Sequence, residues 1–357
     1  MPPTISTPLS EMLDLDIPVV QTAMGWVATP ELTAATCNAG AIGFLATASL
    51  VPAEVDAALK RVKELTGRPF GVNVLMDAPG ADIICEKMIE NGVRVASYNR
   101  APNPAMIQNL KDHGLLCIPT IGAAKHAVKA MALGADAVVV QGGEGGGHTG
   151  PVPTSLLIPQ VVEAVDGQIP VIAAGGFRDG SGLVAALAWG ASGIAMGTRF
   201  LMTKESPLLP ATEERYLQAT VNDIYVSTAI DGLPQRCIEN ELLRNLQASG
   251  PVTKLLIAIE NALEYRKSSG ASIFEILSSG LKMRKSQGLS LSQVLLAANA
   301  PMLAKKAMVE GDPKRGYLPS GQVAGLIDDR PSVAELIDRI RSEALLRLDA
   351  IAALRAN

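Results

Sequence analysis

Short, nearly continuous runs of apolar and β-branched residues recur from residue 17 to residue 196, at 17–21, 41–46, 69–75, 93–97, 115–119, 136–141, 170–174 and 192–196. Runs of this length without alternation predict strands buried on both faces. Between most of them lie alanine-rich segments with helical period, at 52–65, 81–90, 104–111, 123–133 and 182–188. Gly92, Gly114, Gly134 and Gly190 stand where several of these helices must end, the position at which glycine relieves a left-handed turn. Strands that alternate with helices pair in parallel, and eight such units fit a closed barrel better than an open sheet.

The pattern changes after residue 210. Segments 213–218, 239–246, 252–262, 272–281 and 291–297 read as helices with no regular strand between them. The expected fold class is therefore α/β: a (β/α)₈ TIM barrel with a smaller, mainly helical second domain. The expected boundaries are a cofactor-binding barrel over 1–210, a helical substrate or lid domain over 211–310, and an active-site loop with a returning C-terminal helix over 311–357. The loop reading rests on Gly, Pro and Asp enrichment between 311 and 329. Ser332, followed three residues later by Glu335, has capping-box spacing and predicts the start of the last helix, which runs to about residue 354.

Composition narrows the picture. The 357 residues are 48% hydrophobic and 18% charged, with a net charge of −4. That excludes disorder and predicts no nucleic-acid partner, since no basic stripe is present. No apolar stretch is long enough to predict a membrane span, and the first residues lack a secretory pattern. Cys37, Cys85, Cys117 and Cys237 show no C-x-x-C spacing, so buried, reduced thiols in a cytoplasmic protein are expected, and no metal site. The apolar content makes a homodimer an expectation.

In a barrel, chemistry sits where strands finish. The first run leads into Gln21-Thr-Ala-Met24-Gly25-Trp26, the third carries Asn73, and the sixth ends in Gln141-Gly-Gly-Glu144-Gly-Gly146-Gly147-His148. The seventh ends at Gly175-Gly176 and the eighth at Gly197-Thr198. Glycine turns after the seventh and eighth strands let backbone N–H groups approach a phosphate. They predict a phosphorylated cofactor, with tight turns that bind nothing as the alternative. Gly145, Gly147 and Gly150 also match G-x-G-x-x-G, but Pro151 and Pro153 follow at once, where a dinucleotide site needs a helix.

The chain has three histidines. His113 lies at a predicted helix end and His126 inside a predicted helix. His148 alone stands in a glycine-rich loop at a strand end, which suits it to proton transfer near neutral pH; a structural hydrogen bond is the competing explanation. Glu144 has three readings: orienting His148, binding a ligand hydroxyl or substrate, or facing water.

These residues resemble the nitronate monooxygenase family, also called the 2-nitropropane dioxygenase family, and its relative the FMN-dependent enoyl-acyl-carrier-protein reductase. The resemblance covers nearly the whole chain. It rests most specifically on residues 141–148, with support from 21–26, Gly71-Val-Asn73, Ala174-Gly-Gly176, Met196-Gly-Thr-Arg-Phe200 and Pro319-Ser-Gly-Gln-Val-Ala-Gly325. It implies FMN as cofactor and His148 as the catalytic histidine. It places Ala23, Met24, Gly25 and Asn73 against the flavin ring and Gln141 in a hydrogen bond to it. Gly146 and Gly147 would skirt the ring. Gly175, Gly176, Gly197 and Thr198 would hold the phosphate, and Gln322 would close the site. Gly145 stands where the family motif has alanine.

The chain is similar in more detail to the branch that degrades steroid C/D rings in bacteria through CoA thioesters, on residues 122–127, 144–151 and 292–302. That likeness implies a CoA-thioester substrate. Trp26, Lys204, Arg284 and Glu144 are its candidate contacts, with Lys282 and Lys285 beside Arg284 as a basic group for CoA phosphates or an ordinary solvated face. The functions in play are a thioester oxidoreductase with His148 as acid or base, a nitronate monooxygenase using O₂, an enoyl-thioester reductase, and a phosphate-binding barrel without redox chemistry. A phosphosugar isomerase is disfavoured by the absence of a Lys/Glu pair at the strand ends.

Overall fold

The computed structural model describes residues 5–99, 102–250 and 299–354. Ten short strands form or adjoin the barrel: β1 (Val19–Gln21), β2 (Ile42–Ala46), β3 (Gly71–Val74), β4 (Val95–Tyr98), β5 (Leu116–Cys117), β6 (Thr120–Ile121), β7 (Val138–Gln141), β8 (Gly147–His148), β9 (Val171–Ala174) and β10 (Gly193–Met196). All but β8 belong to one parallel sheet, ordered β5-β4-β3-β2-β1-β10-β9-β7-β6. Each end of that order is half of one strand, the fifth of the eight. Leu116 and Cys117 pair with β4, while Thr120 and Ile121 pair with β7. Between them, Ile118 donates its N–H to Ala96 and Pro119 accepts from Val139, at 2.9 Å each. Proline has no N–H to give β4, so the strand transfers its pairing there and the barrel closes.

Inward-facing side chains fill the barrel as one cluster that includes Val20, Ile42, Phe44, Val95, Ile118, Val139, Ile172, Ala174 and Ala195. The helix Pro8–Leu13 plugs the N-terminal end with Leu9 and Leu13, both buried in the same cluster. Toward the other end the chain places small residues, Ala174 and Ala195, and the packing leaves room above them. Outside, helices Pro52–Leu65 and Ala81–Glu90 have the bounds expected from the sequence. The four cysteines are free and buried. Burial pushes the Cys37 thiol up to about 11 and Cys237 to about 12, which keeps both protonated and inert.

The second half departs from expectation. Helices Pro210–Leu217 and Glu241–Ala248 are present, but between them runs an antiparallel hairpin of β11 (Ile224–Ser227) and β12 (Gln235–Ile238). The segments read as helices at 252–262, 272–281 and 291–297, and with them Lys282, Arg284 and Lys285, lie outside the described residues. The described part of 211–310 has a small core of its own, including Ile230, Leu243, Leu246 and Leu303. Tyr216, Ile224, Ile238 and Met308 nevertheless join the main barrel cluster.

The last helix, Val333–Ala353, begins at a complete Ser332–Glu335 capping box. It packs on helix Gly180–Ala188 so closely that a Cβ at Gly180 would lie 2.4 Å from Ala344 N and Ile340 O. Glu343 reaches across to the Gly180 N–H (3.1 Å) and the Ser181 hydroxyl (2.7 Å). The buried guanidinium of Arg199 ties the preceding segment to the end of β10 through Asp329, at 2.8 Å.

Candidate active site

Where the barrel core stops, a cavity of about 370 Å³ opens at the C-terminal ends of the strands, within the ~300–1,000 Å³ usual for small-molecule sites. Its floor is Val20, Phe44, Val139, Ala174 and Ala195. The predicted residues Ala23, Met24, Gly25 and Asn73 line one side. Gln141, Gly146, Gly147 and His148 line another, and Gly175, Gly176, Gly197 and Thr198 complete the wall.

The glycine turns come together because their strands are neighbours in register. Ala174 pairs with Ala195, so the turns at Gly175-Gly176 and at Gly197 leave the ends of two neighbouring strands. Gly175 and Gly176 have φ of +103° and +84°, a region that side chains with a Cβ avoid. A Cβ at Gly197 would come within 3.0 Å of Thr22 Oγ1 and 3.3 Å of Met24 Sδ. These three glycines leave this part of the cavity wall to bare backbone. His148 is the one ionisable residue among the described lining residues, so an anion here meets neutral donors rather than cations.

The loop that carries His148 is held from several directions. Gly147 and His148 form β8, which pairs antiparallel with Gln235 and Arg236 of β12. Arg236 clamps the Gly143 carbonyl through Nε (3.0 Å) and Nη2 (2.8 Å). Gln141 donates its Nε2 to the His148 carbonyl at 2.8 Å. The imidazole Nε2 lies 2.7 Å from Oδ2 of Asp231, which is 4% exposed. Burial alone would raise the Asp231 carboxyl; the hydrogen bond and charge of His148 and the Leu233 N–H outweigh it, and the group sits below the usual aspartate range.

Several predicted residues have other tasks. Glu144 does not line the cavity: its Oε2 accepts from the Thr154 amide (2.8 Å) and hydroxyl (2.6 Å), capping helix Thr154–Val165. Gln322 also stands outside the lining. Its N–H donates to the Glu144 carbonyl at 3.0 Å, while its neighbours Gly321 and Val323 face the cavity. Trp26 has φ +67° and donates Nε1 to the Pro301 carbonyl at 3.1 Å. It anchors helix Asn299–Met308 beside the mouth, with Lys305 Nζ 5.8 Å from its ring. Lys204 is exposed and meets Glu335 at 3.4 Å, away from the cavity. His113 accepts no ligand role either, since Nδ1 lies 2.8 Å from the Asn109 carbonyl, and His126 is an exposed helix residue.

Sequence reading missed Asp231 and Asn99, while Ser97, which the sequence places at the end of the fourth strand, lines the cavity. Asp231-Gly232 between two alternating segments is a turn signal, and it marked the hairpin that carries the aspartate. Asn99 lines the cavity with its Oδ1 buried and unpartnered, an acceptor free for a bound group.

Glycine turns after the last two strands, a small-molecule cavity and one histidine stand together at the C-terminal mouth of a barrel, the place where barrel enzymes carry their chemistry. Residues 6–343 match the nitronate monooxygenase family. The chain belongs to that family of flavin-dependent oxidoreductases. It is 50% identical over 351 residues to a protein of Mycobacterium tuberculosis named (3aS,4S,5R,7aS)-5-hydroxy-7a-methyl-1-oxo-octahydro-1H-indene-4-carboxyl-CoA dehydrogenase, covering 98% of this chain and 99% of that one. A protein of the same name from Rhodococcus jostii is 49% identical over 353 residues, covering 99% of each. Among solved structures, FabK from Thermotoga maritima is 30% identical, with a TM-score of 0.81 over 98% of this chain and 100% of that one. Among the described residues no helix is long and apolar enough to cross a membrane, and no cluster of acidic, histidine or cysteine residues is arranged to hold a metal.

Proposed function

We propose that this oxidoreductase is FMN-dependent and removes hydrogen from a cyclic CoA thioester. The observation that carries the cofactor is the convergence of Gly175, Gly176, Gly197 and Thr198 on the cavity that holds His148. The residues fit a flavin mononucleotide: a cradle without side chains for the phosphate, small floor residues, and Asn73, Asn99 and Gln141 as polar edges. Bound FMN supplies a two-electron acceptor.

The protein's own part is position and a proton. Asn73 and Gln141 orient what lies across the strand ends, and the segment from Pro319 to Val323 covers it from the second half. His148 would take the substrate proton, and the hydride acceptor would be the bound flavin. The substrate class is supported by the names of the two relatives, whose identity extends over almost the full length of each chain.

A second reading, oxidation of alkyl nitronates with O₂, is supported by the family to which residues 6–343 belong. The two separate in one experiment. Purified yellow protein is mixed anaerobically with a cyclic hydroxyacyl-CoA or with an alkyl nitronate, and flavin absorbance is followed. Fast bleaching by the thioester alone supports the dehydrogenase. Bleaching by the nitronate alone overturns it.

A further inference from the structure

We propose that Asp231 is the positioning residue for His148 and fixes its ring so that Nδ1 is the nitrogen that exchanges the proton. This rests on the reading of His148 as the acid or base of the site.

Four observations converge. The Nε2–Oδ2 distance of 2.7 Å is that of a strong hydrogen bond to a carboxylate. Asp231 is 4% exposed, and a buried carboxylate persists only where its oxygens are satisfied. Here each has a partner: Oδ1 accepts the Leu233 N–H at 3.0 Å and Oδ2 faces His148. The carboxyl is held below the usual aspartate range, so near neutral pH it has no proton to donate. Nε2 must therefore carry the hydrogen, and the neutral ring presents its lone pair at Nδ1.

The hairpin makes this arrangement rigid. Asp231 lies in the turn between β11 and β12, and β12 pairs with His148 through Gln235. One element thus holds both the backbone and the ring of the histidine. The turn is itself braced by the Gly232 N–H to Thr228 carbonyl bond at 3.0 Å, with Gly232 at φ +83°. With no second ionisable residue among the described lining residues, the orientation of this ring decides where the proton can go.

The test uses the flavin-loaded protein with ring-¹⁵N histidine. His148→Gln identifies the His148 signals among the three histidines. In the neutral ring, wild-type His148 should show protonated Nε2 and bare Nδ1. Asp231→Asn should lose that pure tautomer while keeping the flavin spectrum, with kcat down about 10²-fold and KM within a few-fold. Asp231→Glu should restore part of the tautomer preference. A wild-type ring protonated at Nδ1, or an unchanged tautomer in Asp231→Asn, overturns the proposal. The wild-type measurement decides even if the variants fold poorly. If instead the thioester reading is wrong, wild type fails to turn over that substrate while the ring spectrum stands.

Discussion

One carboxylate oxygen of Glu144 accepts two hydrogen bonds from Thr154, from its amide at 2.8 Å and its hydroxyl at 2.6 Å. Pro153, immediately before, offers no side-chain cap to the helix that starts there. Glu144 supplies the cap from ten residues upstream, and in doing so draws the glycine loop into a closed ring. The same residue's carbonyl receives the Gln322 N–H, so the ring is also where the second half docks.

Glu144→Ala should therefore act on stability before chemistry. Loss of a cap costs about 1 kcal/mol, and a loosened loop should lower kcat with little change in KM. Urea unfolding beside steady-state kinetics checks this. A raised KM at unchanged stability would restore Glu144 as a substrate contact.

Gly145→Ala tests how the loop selects the Gln141 conformation. The added Cβ would sit 2.6 Å from Gln141 Cγ and Nε2, closer than real contacts allow. The amide should leave the His148 carbonyl, and the flavin absorption spectrum should shift, since Gln141 lines the cavity. An unchanged spectrum and unchanged turnover would mean that Gln141 does not report on the ring.

Gly176→Val should weaken flavin retention. A β-branched residue at φ +84° is strained by ~1–3 kcal/mol, and relief of that strain turns the backbone out of the cradle. Flavin affinity should fall about tenfold or more, read by equilibrium dialysis. Unchanged affinity would remove the phosphate from this turn.

His148→Ala should stay yellow and lose about 10²-fold in turnover, the scale of general acid–base catalysis. Its Nε2 partner loses its counterpart as well, so Asp231 is left buried with one oxygen unpaired, and a drop in stability should accompany the kinetic loss. Turnover at the wild-type rate would end its assignment as acid or base.

Asp231 also predicts a dependence of stability on acid. Its folded-state carboxyl lies below the ordinary 3.8. Such a group contributes stability above its unfolded value and loses it as pH falls through the folded one. Wild type should exceed Asp231→Asn in unfolding free energy at pH 5 to 7. The gap should shrink as pH drops from about 4 downward, as measured by denaturant unfolding across pH.

The barrel was legible because its strands are buried on both faces and therefore stand out as unbroken apolar runs. Helix bounds at Pro52, Leu65, Ala81 and Glu90 followed from the helical period of those segments, with Gly92 marking the second stop. The hairpin at 224–238 was not read, because its strands mix polar, partly exposed residues with apolar ones and its connecting turn spans seven. With it went Asp231, whose partner is 83 residues away in the chain. Local pattern locates residues that share an element, as with His148 and its glycines. It does not locate a pair assembled by two distant loops. Glu144 was noticed for its neighbours, but its task was set by Thr154, a residue that looks ordinary in sequence.

The lid over the cavity comes late in the polypeptide. Pro319, Gly321 and Val323 face a pocket whose floor is complete by Ala195, and Gly321 is secured by its N–H to the Thr198 hydroxyl at 2.9 Å. A ligand at the strand ends would therefore rest in an open bowl until residues 319–323 dock across it.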